Sequence, residues 1–478
     1  MTASAAIPHF GTDGWRAAIA GEYTFDNVRL VTQAIADFAK ANWSCERGIV
    51  VGYDTRFGSE RFAATVCEVL AANGIRAHVS SDPVPTPACA YSISRRSAAG
   101  GIIVTASHNP PSDNGIKVRD RTGAAAPPDD LDKIERAIQD RAGSEIASMP
   151  YSEALAAGLV EEFDPKSDYL EGLRAAVDVE RLAVATYPVV IDSMWGAGAE
   201  YATALLDESG LDIRAIRSDR NPAFPGIARP EPIPPHTNAL SDAVLATGAR
   251  VGIANDGDAD RLGIVDEKGR FVDQLRTMSL LAYYMIEHCG ARSPIVKTVT
   301  TSSMLDRIGE MYGIQIIETG VGMKYVAPEM AKSGACMGGE ESGGYVFAHH
   351  MPERDGILAG LLFLDLMVRE GKTPSELVAL LFEKLGREFH YARRDLTYPE
   401  SDRERIQNRI TGYRPDVMDG SQVVDFSAAD GFKYSLEDGS WFLIRFSGTE
   451  PLLRIYTETT SAARAERILT AAAGAAGL

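Results

Sequence analysis

The chain has 478 residues, of which 45% are hydrophobic, and its formal net charge is −18. This length predicts about three domains, with four also possible, and the composition is that of a globular protein with several hydrophobic cores. The acidic balance argues against nucleic-acid coating and against binding to an anionic membrane, so a site for an anion must depend on local arginine and lysine residues.

Short β-branched runs alternate with longer helix-like stretches along the chain. The predicted strands are 48–52, 102–104, 188–191, 250–254, 294–299, 314–317 and 442–445. The predicted helices are 24–42, 61–73, 129–141, 168–175, 277–288 and 374–384. This alternation favours βαβ units and largely parallel sheets, and therefore an α/β protein. Composition shifts place domain boundaries near residues 164, 267 and 382, which gives the segments 1–163, 164–266, 267–381 and 382–478.

A serine follows the second predicted strand, in the stretch GGIIVTASHNP. The apolar run at 102–104 ends in a turn that presents Ser107, at the carboxyl end of a strand, where α/β sheets bind ligands. Ser107 is a candidate nucleophile, although a turn serine that bonds only to its own backbone is the alternative. Adjacent side chains on an extended segment point apart, so we do not expect Ser107 and His108 to form a pair.

An acidic loop, NDGDADR, follows the predicted strand at 250–254. Alternate positions place Asp256, Asp258 and Asp260 on one side, and only a hard cation makes such close carboxylates favourable. An EF-hand requires glycine where Arg261 stands, and it requires helices rather than strands as flanks. A plain acidic turn is the other alternative. We favour Mg²⁺, because three carboxylates leave positions for a phosphate oxygen and water. Arg261 could hold an anion beside the metal.

A glycine-rich loop, GGEESGG, spans residues 338–344. Its glycines allow close approach of a ligand, and Glu340 and Ser342 offer acceptors for sugar hydroxyls. A mobile glycine turn is the alternative interpretation.

A fourth loop, RFSGTEP, spans residues 445–451. Side chains and backbone N–H groups here can form an anion-binding nest that an arginine closes. A helix capping box is the alternative, but the residues that follow are typical of a strand. The candidate phosphate-binding residues are Arg445, Ser447, Gly448, Thr449 and the nearby Arg454.

Two further turns end in a cation. FGTDGWR ends at Arg16, and DNGIK ends at Lys117 and could bring that lysine back to the serine loop. Both are ordinary surface turns unless the other loops converge on them.

Together these segments resemble the α-D-phosphohexomutase family, which includes phosphoglucomutase, phosphomannomutase and phosphoglucosamine mutase. The segments FGTDGWR, GYDTR, TASHNP, NGIK, DGDADR, GEESGG and RFSGTEP stand in the family's order. The resemblance implies four domains around a central cleft: three similar α/β domains with mixed sheets and a smaller C-terminal α+β domain. It also implies an isomerase.

The resemblance assigns a role to each matching position. Ser107 would carry a phosphoryl group as phosphoserine, and an oxygen of that group would bind Mg²⁺ with Asp256, Asp258 and Asp260. Arg16, His108, Lys117 and Arg261 would surround the transferring group. Glu340 and Ser342 would bind sugar hydroxyls. A further loop, ETGVGMK, resembles another substrate loop of the family, and Lys324 is its candidate substrate-binding residue. The loop around Arg445 would grip the phosphate that does not react.

The implied reaction is the interconversion of hexose 1-phosphate and hexose 6-phosphate through a hexose 1,6-bisphosphate. Ser107 needs a base, and His108 and Lys117 are both candidates. GEESGG is more similar to glucose-specific members, so we expect glucose phosphate first, then mannose phosphate. Gly344 stands where the dual-specificity branch has histidine, and Glu341 stands where the phosphoglucosamine branch has Gln. From other classes, a Mg²⁺-dependent sugar phosphatase and a non-catalytic binding module stay open.

The opening MTASAAIPHFGTDGWR has no basic segment followed by an apolar stretch, and no apolar run reaches the length of a membrane span. Five scattered cysteines form no CxxC pattern, which favours a reducing compartment. We expect a cytoplasmic monomer or dimer that binds a small sugar phosphate and neither nucleic acid nor membrane.

Overall fold

The computed structural model describes residues 7–11, 13–207, 211–447 and 451–478. The strands are β1 (Trp15–Ala18), β2 (Ile49–Tyr53), β3 (Ala77–Ser80), β4 (Gly100–Val104), β5 (Asp113–Arg119), β6 (Val160–Phe163), β7 (Pro188–Asp192), β8 (Asp212–Ile216), β9 (Val251–Asn255), β10 (Leu262–Asp266), β11 (Phe271–Val272), β12 (Ile295–Thr298), β13 (Ile316–Thr319), β14 (Met337–Gly339), β15 (Tyr345–Phe347), β16 (His390–Thr397), β17 (Val417–Met418), β18 (Ser421–Ser427), β19 (Phe432–Leu436), β20 (Trp441–Phe446) and β21 (Leu452–Thr459).

The helices alternate with the strands through most of the chain. They are α1 (Phe25–Asn42), α2 (Ser59–Ala72), α3 (Thr86–Arg96), α4 (Pro128–Arg141), α5 (Tyr151–Ala156), α6 (Lys166–Ala176), α7 (Val179–Leu182), α8 (Ala199–Asp207), α9 (Asn238–Thr247), α10 (Gln274–Glu287), α11 (Met304–Tyr312), α12 (Met323–Ser333), α13 (Gly356–Glu370), α14 (Pro374–Leu385), α15 (Arg403–Gly412) and α16 (Ala462–Ala476). Every predicted strand and helix overlaps one of these elements. Local signals explain the agreement: Thr24, for example, accepts a hydrogen bond from the Asn27 N–H at the start of α1.

The first three sheets share one arrangement. Their strand orders contain the matching runs β5-β4-β2-β3, β10-β9-β7-β8 and β15-β14-β12-β13. In each run the last three strands are parallel, and the strand that precedes a motif loop pairs antiparallel with the strand that follows it. The sheets are therefore mixed, as the family resemblance implies. The expectation of largely parallel sheets, drawn from the alternation alone, missed the antiparallel strand after each loop.

The fourth sheet is antiparallel and has the order β16-β21-β20-β19-β18-β17, with α15 and α16 packed together beside it. Its motif loop also joins two antiparallel neighbours, β20 and β21. We refer to the four sheets and their helices as the first to fourth domains. Three α/β domains and a C-terminal α+β domain confirm the expected fold class.

No helix among the described residues is long and apolar enough to span a bilayer. The core is shared across domains, since one buried cluster contains residues of the first three sheets. The motif loops are therefore held on packed elements that also touch one another.

Candidate functional site

Ser107 lies in a tight turn directly after β4. Its φ of 51° is in the left-handed region, which costs a non-glycine residue about 1–2 kcal/mol. The Ser107 N–H donates to Thr105 Oγ1 at 2.8 Å, which helps to hold this conformation. Ser107 is 1% exposed, so the turn presents its hydroxyl to an enclosed space.

Arg56 fastens this turn and was not among the predicted site residues. Its buried guanidinium donates to four backbone carbonyls of the turn, those of Ser107, Asn109, Pro110 and Asp113, at 2.6 to 3.0 Å. These four hydrogen bonds from one guanidinium stabilise the turn and offset the cost of the left-handed conformation at Ser107. The only sequence signal was its place in GYDTR, after β2, the parallel neighbour of β4.

The Ser107 hydroxyl meets the acidic loop of the second domain. Its Oγ donates to Asp256 Oδ2 at 2.8 Å. His108 Nδ1 also lies 3.4 Å from Ser107 Oγ, so the expectation that these neighbours point apart was wrong. That expectation assumed an extended backbone, whereas the left-handed Ser107 turns both side chains to one side. Desolvation in the cleft, with Arg261, Arg16 and Lys117 nearby, lowers the pKa of His108 well below its ordinary value.

The three aspartates form a buried triad in which one carboxylate oxygen from each residue lies within 4.8 Å of the other two. Lys117 Nζ donates to Asp258 Oδ2 at 2.8 Å and to Asp260 Oδ2 at 2.7 Å. Burial, together with Asp260 and Asp258, raises the pKa of Asp256 well above its usual range. Burial works in the same direction at Asp258, but the ammonium of Lys117 outweighs it and lowers that pKa.

The triad fits a divalent cation. Asp258 Oδ1 and Asp260 Oδ1 are buried and have no hydrogen-bond partner in the described part of the chain. Such oxygens are costly to leave unpaired, and they are the hard donors that small divalent cations prefer. Thr86 of the first domain donates to Asp258 Oδ2 at 2.5 Å and orients that carboxylate. The predicted metal ligands therefore converge on one point between two domains.

The two predicted arginines border the same point. Arg16 Nη1 donates to Asn109 Oδ1 at 3.1 Å, in the serine turn. Arg261 Nε lies 4.0 Å from Asp256 Oδ2 and 3.9 Å from Asp260 Oδ1. With Lys117, these side chains place three cations beside the serine turn and the triad, inside an otherwise acidic protein.

The glycine-rich loop of the third domain also reaches the triad, through a residue that no motif contained. Arg354 is 4% exposed and donates to Asp260 Oδ2 at 2.7 Å, to Glu340 Oε2 at 3.3 Å, and to Asp13 Oδ2. These three acids belong to the second, third and first domains. Arg354 therefore ties three motif loops together around the cleft.

Arg354 also explains the glycine at position 344, where the dual-specificity branch of the family has histidine. A Cβ atom on Gly344 would lie 2.3 Å from Arg354 Cδ. No side chain fits there while Arg354 keeps its position, so the position of Arg354 requires glycine at residue 344. In the same loop, Glu340 is 6% exposed and Ser342 is half-buried. Lys324, in the first turn of α12, is half-buried with its Nζ 5.3 Å from the Tyr325 ring centroid.

We expect Arg354→Ala to lower the free energy of unfolding by about 3–5 kcal/mol, because it leaves buried Glu340 without its ion-pair partner and removes one cation each from Asp13 and Asp260. Urea denaturation of the purified variant measures this. Arg467→Ala is the control, since Arg467 forms an exposed bidentate pair with Asp419 and its loss should change stability little. Equal denaturation midpoints for the two variants would contradict the bridging role.

The predicted phosphate loop lies in the fourth domain. Arg445 and Arg454 face each other across β20 and β21, and two like charges in register favour a bound anion. Arg445 Nε donates to Asp430 Oδ1 at 2.7 Å, and the Ser447 N–H donates to the Leu452 carbonyl at 2.8 Å. Gly448 and Thr449 lie outside the described residues. Within those residues, neither Arg445 nor Arg454 makes an ion pair with the first two domains.

Four domain families match the chain in order, all of them described as phosphoglucomutase/phosphomannomutase. Domains I, II and III, each described as alpha/beta/alpha, match residues 8–144, 167–269 and 273–385, and the C-terminal domain matches residues 401–475. The chain belongs to the phosphoglucomutase/phosphomannomutase family. It is accordingly an isomerase of the phosphohexomutase class.

Relatives in this family match over nearly their whole length. A probable phosphoglucosamine mutase from Pyrococcus furiosus is 33% identical over 466 residues, 98% of this chain and 97% of that protein. A phosphoglucomutase/phosphomannomutase from Thermococcus kodakarensis is 30% identical and covers 96% of each chain. A solved structure described as that of a phosphomannomutase from Thermus thermophilus superposes with a TM-score of 0.85 at 32% identity, covering 98% of this chain and 99% of that chain.

Proposed function

We propose that the enzyme interconverts hexose 1-phosphate and hexose 6-phosphate, with glucose phosphate as the preferred substrate. The observation that carries this proposal is the contact between Ser107 Oγ and Asp256 Oδ2, which joins the serine turn to the acidic triad. A hydroxyl beside a buried carboxylate triad, bordered by cations, suits a group that accepts and returns a phosphoryl group. We propose Ser107 as the residue that carries it, as phosphoserine.

Asp256, Asp258 and Asp260 are the residues that would hold Mg²⁺. When bound, the ion would neutralise charge on the oxygens of the transferring phosphoryl group. Arg16 and Arg261 face the same group and add fixed positive charge that needs no rearrangement during the reaction. Thr86 and Lys117 hold Asp258 in place.

Two transfers complete the reaction. In the first, a free sugar hydroxyl bonds to phosphorus while the bond from phosphorus to Ser107 Oγ breaks, which yields a hexose 1,6-bisphosphate. In the second, Ser107 Oγ bonds to the other phosphorus and the sugar oxygen leaves. Each attacking hydroxyl loses a proton, and each leaving oxygen gains one. His108 Nδ1, 3.4 Å from Ser107 Oγ, is well placed for the proton at the serine, whereas Lys117 Nζ is engaged by carboxylates.

The phosphate group that does not react needs its own binding site, since the bisphosphate must reorient without dissociating from the enzyme. Arg445 and Arg454, with the loop that follows β20, offer that site in the fourth domain. Binding energy at this remote end orients the reacting end. Glu340 and Ser342, with Lys324, are proposed to bind the sugar hydroxyls between the two ends.

Glucosamine phosphate is a second candidate substrate, because curated relatives such as the Pyrococcus furiosus protein bear the name phosphoglucosamine mutase. The sequence favours glucose through Glu341. A substituent at C2 changes discrimination by about 1–3 kcal/mol, so more than one sugar could turn over. A panel that compares kcat/KM for glucose, mannose and glucosamine 1-phosphates orders the three.

The reaction class has a direct test. The enzyme with Mg²⁺, glucose 1-phosphate and a trace of glucose 1,6-bisphosphate should form glucose 6-phosphate without releasing inorganic phosphate. Stoichiometric phosphate release would instead identify a sugar phosphatase. Phosphopeptide mapping of the purified protein should place a phosphoryl group on Ser107, and a protein that never carries one would favour a binding module.

We expect Arg445→Ala to raise KM for glucose 1-phosphate about 10- to 100-fold, because a charge-assisted bond to phosphate is lost. Steady-state kinetics at saturating Mg²⁺ measures it. Arg414→Ala is the control, since this exposed arginine of the same domain packs on the Phe426 ring and donates to the backbone carbonyls of Thr411 and Tyr413. An unchanged KM in the Arg445 variant would remove this residue from the proposed clamp.

A further inference from the structure

Asp430 lies in the turn between β18 and β19, outside every motif, and its carboxylate joins two parts of the proposed substrate site. Oδ1 accepts from Arg445 Nε at 2.7 Å, within the fourth domain. Oδ2 accepts from the Val321 N–H at 2.7 Å, in the third domain. Val321 lies three residues before Lys324, in the loop ETGVGMK. We call Arg445 and Arg454 the phosphate clamp and residues 318–324 the sugar loop. The Asp430 side chain therefore contacts both the phosphate clamp and the sugar loop.

The turn is shaped to place Asp430 at this position. Gly431 has a φ of 89°, and a Cβ atom there would lie 2.9 Å from the Ile444 carbonyl oxygen and 3.0 Å from Arg445 Cβ. Only glycine allows the turn to approach β20 so closely. The Asp430 side chain is 23% exposed, so its bonds are partly shielded from water.

The sugar loop is built to meet the same carboxylate. A Cβ atom on Gly320 would lie 3.4 Å from Asp430 Oδ2, so the backbone there passes close to the aspartate. The Val321 side chain packs against an apolar cluster that includes Trp441 and Leu443 of β20. Lys433 Nζ, two residues along from Gly431, also contacts Glu318 Oε2 at 2.6 Å, at the start of the sugar loop.

The hydrogen bond from Arg445 Nε to Asp430 Oδ1 fixes the orientation of the guanidinium. Anchored at Nε, Arg445 keeps a fixed plane and leaves its terminal Nη groups to grip a phosphate. Without the anchor, the side chain would have to be ordered by the substrate itself, which weakens binding.

We propose that Asp430 is a positioning residue that orients Arg445 for the substrate phosphate and couples the clamp of the fourth domain to the sugar loop of the third. This inference rests on the proposed function, since it acts through Arg445. Asp430 does not touch the reacting atoms. Its loss should therefore weaken substrate binding at both loops and leave the chemistry at Ser107 largely intact.

Asp430→Asn tests this in the full-length enzyme, because asparagine keeps the size but loses the charge and one acceptor. We expect KM for glucose 1-phosphate to rise about tenfold, while kcat changes by less than about threefold. Asp425→Asn, at an exposed aspartate of β18, is the matched control and should behave as wild type. A lower melting temperature with unchanged KM would show a merely structural role and overturn the proposal.

A double-mutant cycle tests whether Asp430 acts through Arg445. The KM increase of the double variant Asp430→Asn/Arg445→Lys should be clearly smaller than the product of the two single increases. Fully multiplicative effects would overturn the coupling.

Calorimetric titration of glucose 1-phosphate separates this inference from the proposed function. In one outcome the wild-type protein is inactive but binds the sugar phosphate, and the Asp430→Asn variant binds it about tenfold more weakly. This result would support the positioning role and reject the mutase. An active wild-type enzyme whose variant binds equally well would reject the positioning role alone.

Discussion

Ser107→Ala should lose mutase turnover by a factor on the order of 10⁴ or more, because no other group takes over its bond to phosphorus. The fold should survive. Alanine retains the backbone that Arg56 and Thr105 hold, and the substitution removes only the side-chain contacts of Oγ with Asp256 Oδ2 and His108 Nδ1. A coupled assay for glucose 6-phosphate measures the loss, and mass spectrometry should find no phosphoryl group on the variant turn.

Ser112→Ala is the matched control, since Ser112 is exposed in the same turn and its Oγ donates to Asp113 Oδ1 at 2.9 Å. This variant should keep wild-type turnover and the phosphoryl group on Ser107. Near-normal turnover of Ser107→Ala would refute Ser107 as the phosphoryl carrier and would show that another group serves as the nucleophile.

Asp256→Asn should reduce turnover by about 10³-fold and abolish the stabilisation that Mg²⁺ gives. At a concentration about 100 times its Kd, Mg²⁺ should add about 2.7 kcal/mol to the free energy of unfolding of the wild type. The same variant should be no less stable than the wild type when Mg²⁺ is removed. One oxygen from each of the three carboxylates lies within 4.8 Å of the others, and these groups repel one another. Asparagine relieves part of that repulsion, which offsets the loss of one of the two hydrogen bonds that Asp256 accepts, from Ser107 Oγ and from the Arg261 N–H.

Thermal unfolding with and without Mg²⁺ checks both halves of this expectation. Asp242→Asn, at an exposed aspartate on α9 of the same domain, should keep the full response to Mg²⁺. A variant at Asp256 that Mg²⁺ stabilises as much as the wild type would show that the ion binds elsewhere.

The motif loops could be predicted because their signals are local. A β-branched run followed by TASHNP or DGDADR encodes a strand and the turn after it within about ten residues, and both loops lie at the ends of strands as expected. Helix starts were equally local, as at Thr373 and Glu376, which form a capping box before α14. Local sequence therefore determined that the chain is an α/β protein, the order of its motif loops and the candidate triad, whereas the mixed sheets followed only from the family resemblance.

Long-range contacts decided the rest. Arg56, Arg354 and Asp430 gain their roles from partners far away in the chain; Arg354, for example, meets Asp13 across 341 residues. A lone arginine or aspartate has no spacing that marks it, because its partner is set by which loops the sheets bring together. The pairing of Ser107 with His108 depended on one left-handed φ angle, which is invisible in the residue types. The sequence by itself determined which chemical groups this protein carries after its strands, since strand and turn preferences act over short distances. Only the tertiary structure decided which buried charges hold those groups in place, since electrostatic partners are chosen by proximity in space rather than along the chain.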